Sequence, residues 1–134
     1  MAIVHLKPGR EKSLLRQHPW VFSGAIAGVE GIEEGGGSGE TVDILDARGK
    51  FMGRGAYSPH SQIRVRVWTW EPDDINPAFF HARLLKAITT RQATVPPAQT
   101  TAYRLVHGES DGLPGLVVDR YGEVLVMQCL SCGA

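Results

Sequence analysis

The sequence predicts a mostly β protein with α (α+β): a small, partly closed barrel through residue 70, then a strand–helix–strand–hairpin unit. Three observations carry this. The run "QIRVRVWTW" alternates with a period of two. Short strand signals and turn residues recur through the first 70 residues. One long helical stretch lies between Asn76–Pro77 and Pro96–Pro97.

The elements follow in order. "AIVHL" is a short strand before the turn "KPGR". "EKSLLRQH" offers one or two helical turns with Leu14 and Leu15 inward, stopped by Pro19. "AIAGVEGI" is a second strand, and "EEGGGSG" a loop. "ETVDILDARGKFMGRGAYS" is a hairpin turning at Asp46–Gly49. Gly53 and Gly55 in its return strand imply a bulge or a close backbone approach. In "QIRVRVWTW", Ile63, Val65 and Val67 share one face, and Arg64, Arg66, Trp68 and Trp70 the other. We expect the two tryptophans to pack on the following unit.

"EPDDINP" is a linker, with Asn76 as N-cap and Pro77 as first helical residue. The helix then puts Phe80, Leu84, Ala87 and Ile88 on one face. "AYRLVH" is a strand, and "LVVD-RYG-EVLVMQ" a hairpin turning at Arg120–Gly122. The second unit is expected to start with the strand around Trp68–Trp70. The domain boundaries are residues 1–70 and 71–134.

The totals exclude few functions, since Lys+Arg and Asp+Glu are 14 each. Their distribution says more. Residues 1–29 carry Lys7, Arg10, Lys12 and Arg16 against Glu11. Residues 30–46 hold only acids, and residues 47–70 only bases: Arg48, Lys50, Arg54, Arg64 and Arg66. A fold that joins the two basic segments makes a patch able to neutralise RNA phosphates, with aromatic planes for stacking. No apolar run approaches membrane length, and no signal-peptide core is present, so a cytoplasmic protein without membrane partners is expected.

Other candidate chemistry is weaker. Cys129 and Cys132 form one C-x-x-C, where a structural zinc needs four ligands and a redox pair should open a helix. Two small, partly buried side chains are the favoured reading, and no metal is expected. Gly35–Gly39 precedes a strand and lies among Glu33, Glu34 and Glu40, which suits no anion. His107, Glu109, Ser110 and Asp111 are acid–base types, but neighbours in one loop do not make a triad. Turn chemistry explains them better.

"LKPGREKSLLRQHPWVFSGAI" and "GETVDILDARGKFMGRGAYSPHSQIRVRV" resemble the N-terminal PUA domain of class I S-adenosylmethionine (SAM)-dependent methyltransferases of large-subunit ribosomal RNA. "FFHARLLKAITTR" and "YRLVHGESDGLPGLVVDRYGEVLVMQ" resemble the linking domain of the same enzymes, which methylate cytosine at position 5. The resemblance implies an RNA-binding pseudo-barrel and a linking domain, followed in the full family by a Rossmann-like catalytic domain. The cofactor loop and nucleophilic cysteine would lie in that third domain. Neither a catalytic nor a cofactor-binding residue is therefore assigned here, and SAM is expected only for the full-length family.

By the same resemblance, the RNA-binding candidates are Lys7, Arg10, Lys12, Arg16, His18, Lys50, Arg54, Ser58, His60 and Arg64. The expected partner is large-subunit ribosomal RNA rather than DNA. A homodimer through unpaired strand edges is also expected. A stand-alone PUA-type RNA-binding or interaction protein is the alternative function.

Overall fold

The computed structural model describes residues 1–134. Residues 1–73 and 74–132 form two compact units. The first contains β1 (Ala2–Leu6), α1 (Lys12–Leu15), β2 (Trp20–Phe22), β3 (Ile26–Glu30), β4 (Thr41–Leu45), β5 (Phe51–Tyr57) and β6 (Ile63–Thr69). These strands make one sheet in the order β2-β6-β5-β4-β1-β3. Only the β1–β4 pair is parallel.

Laid flat, six strands about 4.8 Å apart would hold the two edges about 24 Å from each other. Yet Val21 of β2 joins the same apolar cluster as Val4, Val42, Ile44 and Val65, and Val29 of β3 packs against it. The sheet is therefore curled into a half-barrel around one core. The glycines of β5 permit that curl. A Cβ on Gly55 would collide with the backbone carbonyl of Arg66, and one on Gly53 would lie 3.0 Å from the carbonyl of Thr69. The β5–β6 register shifts between Arg54 and Gly55, which is a bulge.

Three expectations need correction in this unit. α1 is a single turn and buries only Leu14, while Leu15 is 64% exposed. Adjacent helical residues diverge by about 100°, so one turn cannot face both inward. β2, a three-residue edge strand, was not anticipated because Pro19 and its brevity hide its pattern. Trp70 packs against the barrel core of its own unit, where packing on the following unit was expected.

The second unit contains α2 (Pro77–Thr94), β7 (Ala102–His107), β8 (Leu116–Tyr121) and β9 (Val124–Cys129). Asn76 caps α2 by accepting from the Phe79 N–H at 3.0 Å, and Pro77 occupies the first turn. Ala87 is the buried residue of the helix. The strands form an antiparallel sheet, β7-β8-β9. Leu105, Val106, Leu113, Val117 and Val118 are buried. The register shift between Arg104 and Val106 lets the consecutive residues Leu105 and Val106 both be buried.

Here too the boundaries move. The strand through Trp68 pairs with β5 and β2, so it belongs to the six-stranded sheet and does not open the second unit. The hairpin turns at Gly122–Glu123, because Tyr121 pairs with Val124. Cys129 and Cys132 are both exposed rather than partly buried. No helix is long and apolar enough to cross a membrane.

Candidate nucleic-acid interface

The curl of the sheet decides which cations meet. The β1–α1 turn and the β4–β5 turn face each other across a cleft of about 420 Å³, lined by Pro8, Gly9, Glu11, Leu15, Asp46, Ala47, Arg48, Lys50 and Met52. Lys7 and Arg10 flank the first turn in sequence, and Lys12 and Arg16 lie in and just after α1. Lys7, Lys12, Arg16 and Lys50 are exposed. None of these four side chains is held in an ion pair. The two basic segments separated in sequence thus border one cleft, the second lining it with Arg48 and Lys50 and the first with the backbone turn and start of α1.

The cleft is not purely basic. Asp46 shapes its rim, with Oδ1 accepting from the backbone N–H groups of Arg48 (2.8 Å) and Lys50 (2.9 Å). The Lys50 N–H, with smaller help from Arg48, holds the Asp46 carboxyl below its ordinary value. Asp46 thus stays ionised and fixes the turn that presents Arg48 and Lys50. Arg48 belongs among the candidates on this geometry. Its place in the "DARGK" turn was the signal, and the turn's short reach to α1 could not be read from sequence.

Other candidates are placed differently. Arg54 donates through Nε to Asp43 Oδ1 at 2.6 Å and through Nη1 to the Asp73 carbonyl at 2.6 Å. Its side chain is only 11% exposed. It ties β5 to β4 and to the end of the first unit, which leaves little of it for a phosphate. Ser58 is 3% exposed, too buried to reach a sugar or base edge. His60 and Arg64 line a separate cavity with Glu33 and Glu34. Arg64 also donates to the Ser61 carbonyl at 3.0 Å. Glu33 and Glu34 there set two carboxylates against one arginine and a histidine, where Glu11 and Asp46 in the first cleft face both Arg48 and Lys50.

Aromatic groups cluster on β2 and just before it. His18 and Trp20 meet edge to face at 5.7 Å between centroids, and Trp20 and Phe22 do so at 6.3 Å. The His18 Nδ1 accepts from the Trp20 N–H at 3.3 Å. Trp20 lies opposite Arg66 of β6. Arg10, Ser13, Leu14, Trp20, Val21, Phe22 and Ala25 line a notch beside these rings.

The acid-rich loop of the second unit is explained by turn chemistry. Asp111 Oδ2 accepts from the His107 N–H at 2.7 Å and from Arg91 Nη2 at 2.9 Å. Gly112 closes the turn in the left-handed conformation, with φ of 66°. On the exposed side of the sheet, Arg104 pairs with Asp119 at 2.8 Å and holds that carboxyl below its ordinary value.

Residues 4–70 match the family model described as a PUA-like domain. The chain is 55% identical over 130 residues to the ribosomal RNA large subunit methyltransferase I of Escherichia coli strain K12. The same identity holds for that of Shigella flexneri serotype 5b. In both cases 96% of this chain is covered but 32% of the relative, so the chain spans about one third of their length. Among solved structures, a candidate SAM-dependent methyltransferase from Streptococcus mutans superposes with a TM-score of 0.83 at 18% identity. That match covers 99% of this chain and 34% of the other. A candidate methyltransferase complexed with SAH gives the same TM-score, 0.83, over 98% of this chain and 33% of its own. At such identity the likeness is one of fold. The family match spans the half-barrel that carries the cationic cleft, and the chain belongs to the PUA-like domain family.

Proposed function

We propose that this chain is the RNA-binding, substrate-recognition portion of a SAM-dependent ribosomal RNA methyltransferase, acting on cytosine at position 5 of large-subunit RNA in the cytoplasm. By itself it transfers no methyl group. The observation that carries the reading is the meeting of the β1–α1 and β4–β5 turns at one cleft, which Arg48 and Lys50 line and beside which Lys7, Arg10, Lys12 and Arg16 follow in sequence. The 55% identity to large-subunit methyltransferases supports the choice of RNA over other polyanions.

Lysines and arginines here would neutralise backbone phosphates and release condensed counterions, so affinity must fall with salt. Lys7, Arg10, Lys12, Arg16, Arg48 and Lys50 are the side chains assigned to this task. The chain's residues do not fit a SAM site. Gly35–Gly39 leads into strand β4 rather than a helix, so it lacks the helix N-terminus that cofactor loops use.

The test is a salt series of binding to a structured ribosomal RNA fragment. In a Lys12→Ala/Lys50→Ala double variant, the slope of log affinity against log salt should flatten by about 0.7–0.9 for each phosphate contact removed. An Arg64→Ala control should leave it unchanged. An unchanged slope in the double variant would remove the cleft from the interface. Nucleoside analysis of RNA modified by the full-length enzyme tests the cytosine-5 assignment, and a methyl group found elsewhere ends it. The proposed homodimer is checked by sedimentation across a concentration series, where a persistent monomer excludes it.

A further inference from the structure

The cationic cleft accounts for phosphates but leaves the aromatic cluster of β2 without a role. Phe22 is 48% exposed on an edge strand, although apolar area is cheapest to bury. Its neighbours are unusual for a solvated edge. His18, Trp20 and Phe22 form a continuous ladder, and both contacts are edge to face with interplanar angles of 81°. Such a contact occupies one face of one ring and an edge of the other. The Trp20 contact therefore covers at most one face of Phe22.

Two cations flank the ladder. Arg10 lines the same notch as Trp20 and Phe22. Its nearest acceptor is the Gly24 carbonyl at 3.5 Å, the outer limit of a hydrogen bond, so its guanidinium is not locked. Arg66 is the cross-strand partner of Trp20, and directly paired residues project from the same face of a sheet. Protein interfaces also favour aromatic rings and arginine but are poor in lysine, whereas the exposed Lys7, Lys12 and Arg16 of the preceding segment favour a polyanion. Planar rings bracketed by arginines instead match a nucleotide, whose base stacks while its phosphates meet the cations.

We propose that His18, Trp20 and Phe22, flanked by Arg10 and Arg66, form a stacking platform for an unpaired base of the bound RNA. This rests on the RNA-binding reading above and adds that the preferred ligand has a single-stranded segment next to its phosphate-contacting part. Bases inside a duplex are already stacked and cannot use the platform. The arrangement accepts any base, because every base has a π face.

The experiment compares the full chain and its Phe22→Leu variant on a single-stranded oligoribonucleotide and on a fully paired duplex of the same length. Leu keeps apolar bulk at a half-exposed position but removes the ring. Affinity for the single strand should fall about fivefold or more, with the salt slope and duplex affinity unchanged. Phe22→Tyr should restore single-strand binding, and Trp20→Leu should lower it. Equal losses on both RNAs, or none on either, would overturn the platform while leaving the cationic cleft standing. No RNA binding by the unaltered chain would overturn both readings. Loss of self-association in Phe22→Leu with RNA affinity intact would assign the patch to a protein contact and end the proposal.

Discussion

The two units solve the same burial problem to different degrees. In the first, Val4, Leu6, Val21, Val42, Ile44 and Val65 are each no more than 1% exposed, and they come from strands all round the half-barrel. In the second, every residue of β9 is exposed, although Val124–Met127 is an uninterrupted apolar run. A curled sheet supplies its own cover, because its concave face closes on itself. A three-stranded sheet with one helix covers only part of its strands. The apolar content of a strand therefore does not tell whether the strand is a source of stability; its position in the sheet does.

Substitutions can break or sharpen this contrast. The largest effects belong to the half-barrel. Ile44→Ala removes a fully buried side chain and should cost about 2–5 kcal/mol in chemical denaturation. Gly55→Val should be at least as damaging, because its Cβ meets the Arg66 backbone rather than a side chain able to move. A loss below about 1 kcal/mol in Ile44→Ala would mean that the core is looser than its burial indicates.

An intermediate effect is expected at Arg54→Ala. It strands the Asp43 carboxylate, 22% exposed, without its partner, and should cost about 2 kcal/mol. Arg54→Lys should recover only part of that loss, since an ammonium cannot reach Asp43 and the Asp73 carbonyl in the guanidinium's fork. Unchanged RNA affinity in the refolded variant would confirm that Arg54 serves the fold.

The smallest effect belongs to β9. Leu125→Lys should alter the unfolding free energy by no more than about 0.5 kcal/mol, because Leu125 is 59% exposed. Light scattering on concentrated samples should show less association, since a lysine on an edge strand opposes pairing with other chains. A destabilisation comparable to that of Ile44→Ala would erase the distinction between the units.

Much of this architecture was legible in the residues. The β4–β5 hairpin, the glycine bulge, the Asn76–Pro77 helix start and the alternation of β6 are local signals, and each has a short-range physical cause. What escaped was what depends on partners far away in sequence. Leu15 reads as core until α1 proves one turn long. Arg54 and Ser58 read as surface polar groups, but the curl of the sheet buries Ser58 and sets Arg54 against Asp43. His60 and Arg64 read as part of a basic patch, and only the fold puts Glu33 and Glu34 beside them. Trp20 and Phe22 alternate with His18 in "HPWVF", a two-residue period too short to outweigh Pro19. The charge segregation itself was visible, whereas the choice of which cations would meet required the register of β1 against β4.

That parallel pairing has a consequence for the order in which the molecule can assemble. β1 is bonded only to β3 and β4, with Ala2 opposite Val42. As the chain is synthesised from N- to C-terminus, β1 has no neighbour until the residues of β3 and then β4 have appeared. The segment from β4 to β6, by contrast, pairs each new strand with the one just before it. "AIVHL" must therefore remain unpaired through the making of α1 and β2, and two polar residues, His5 and Lys7, lie within and beside the segment that has to wait.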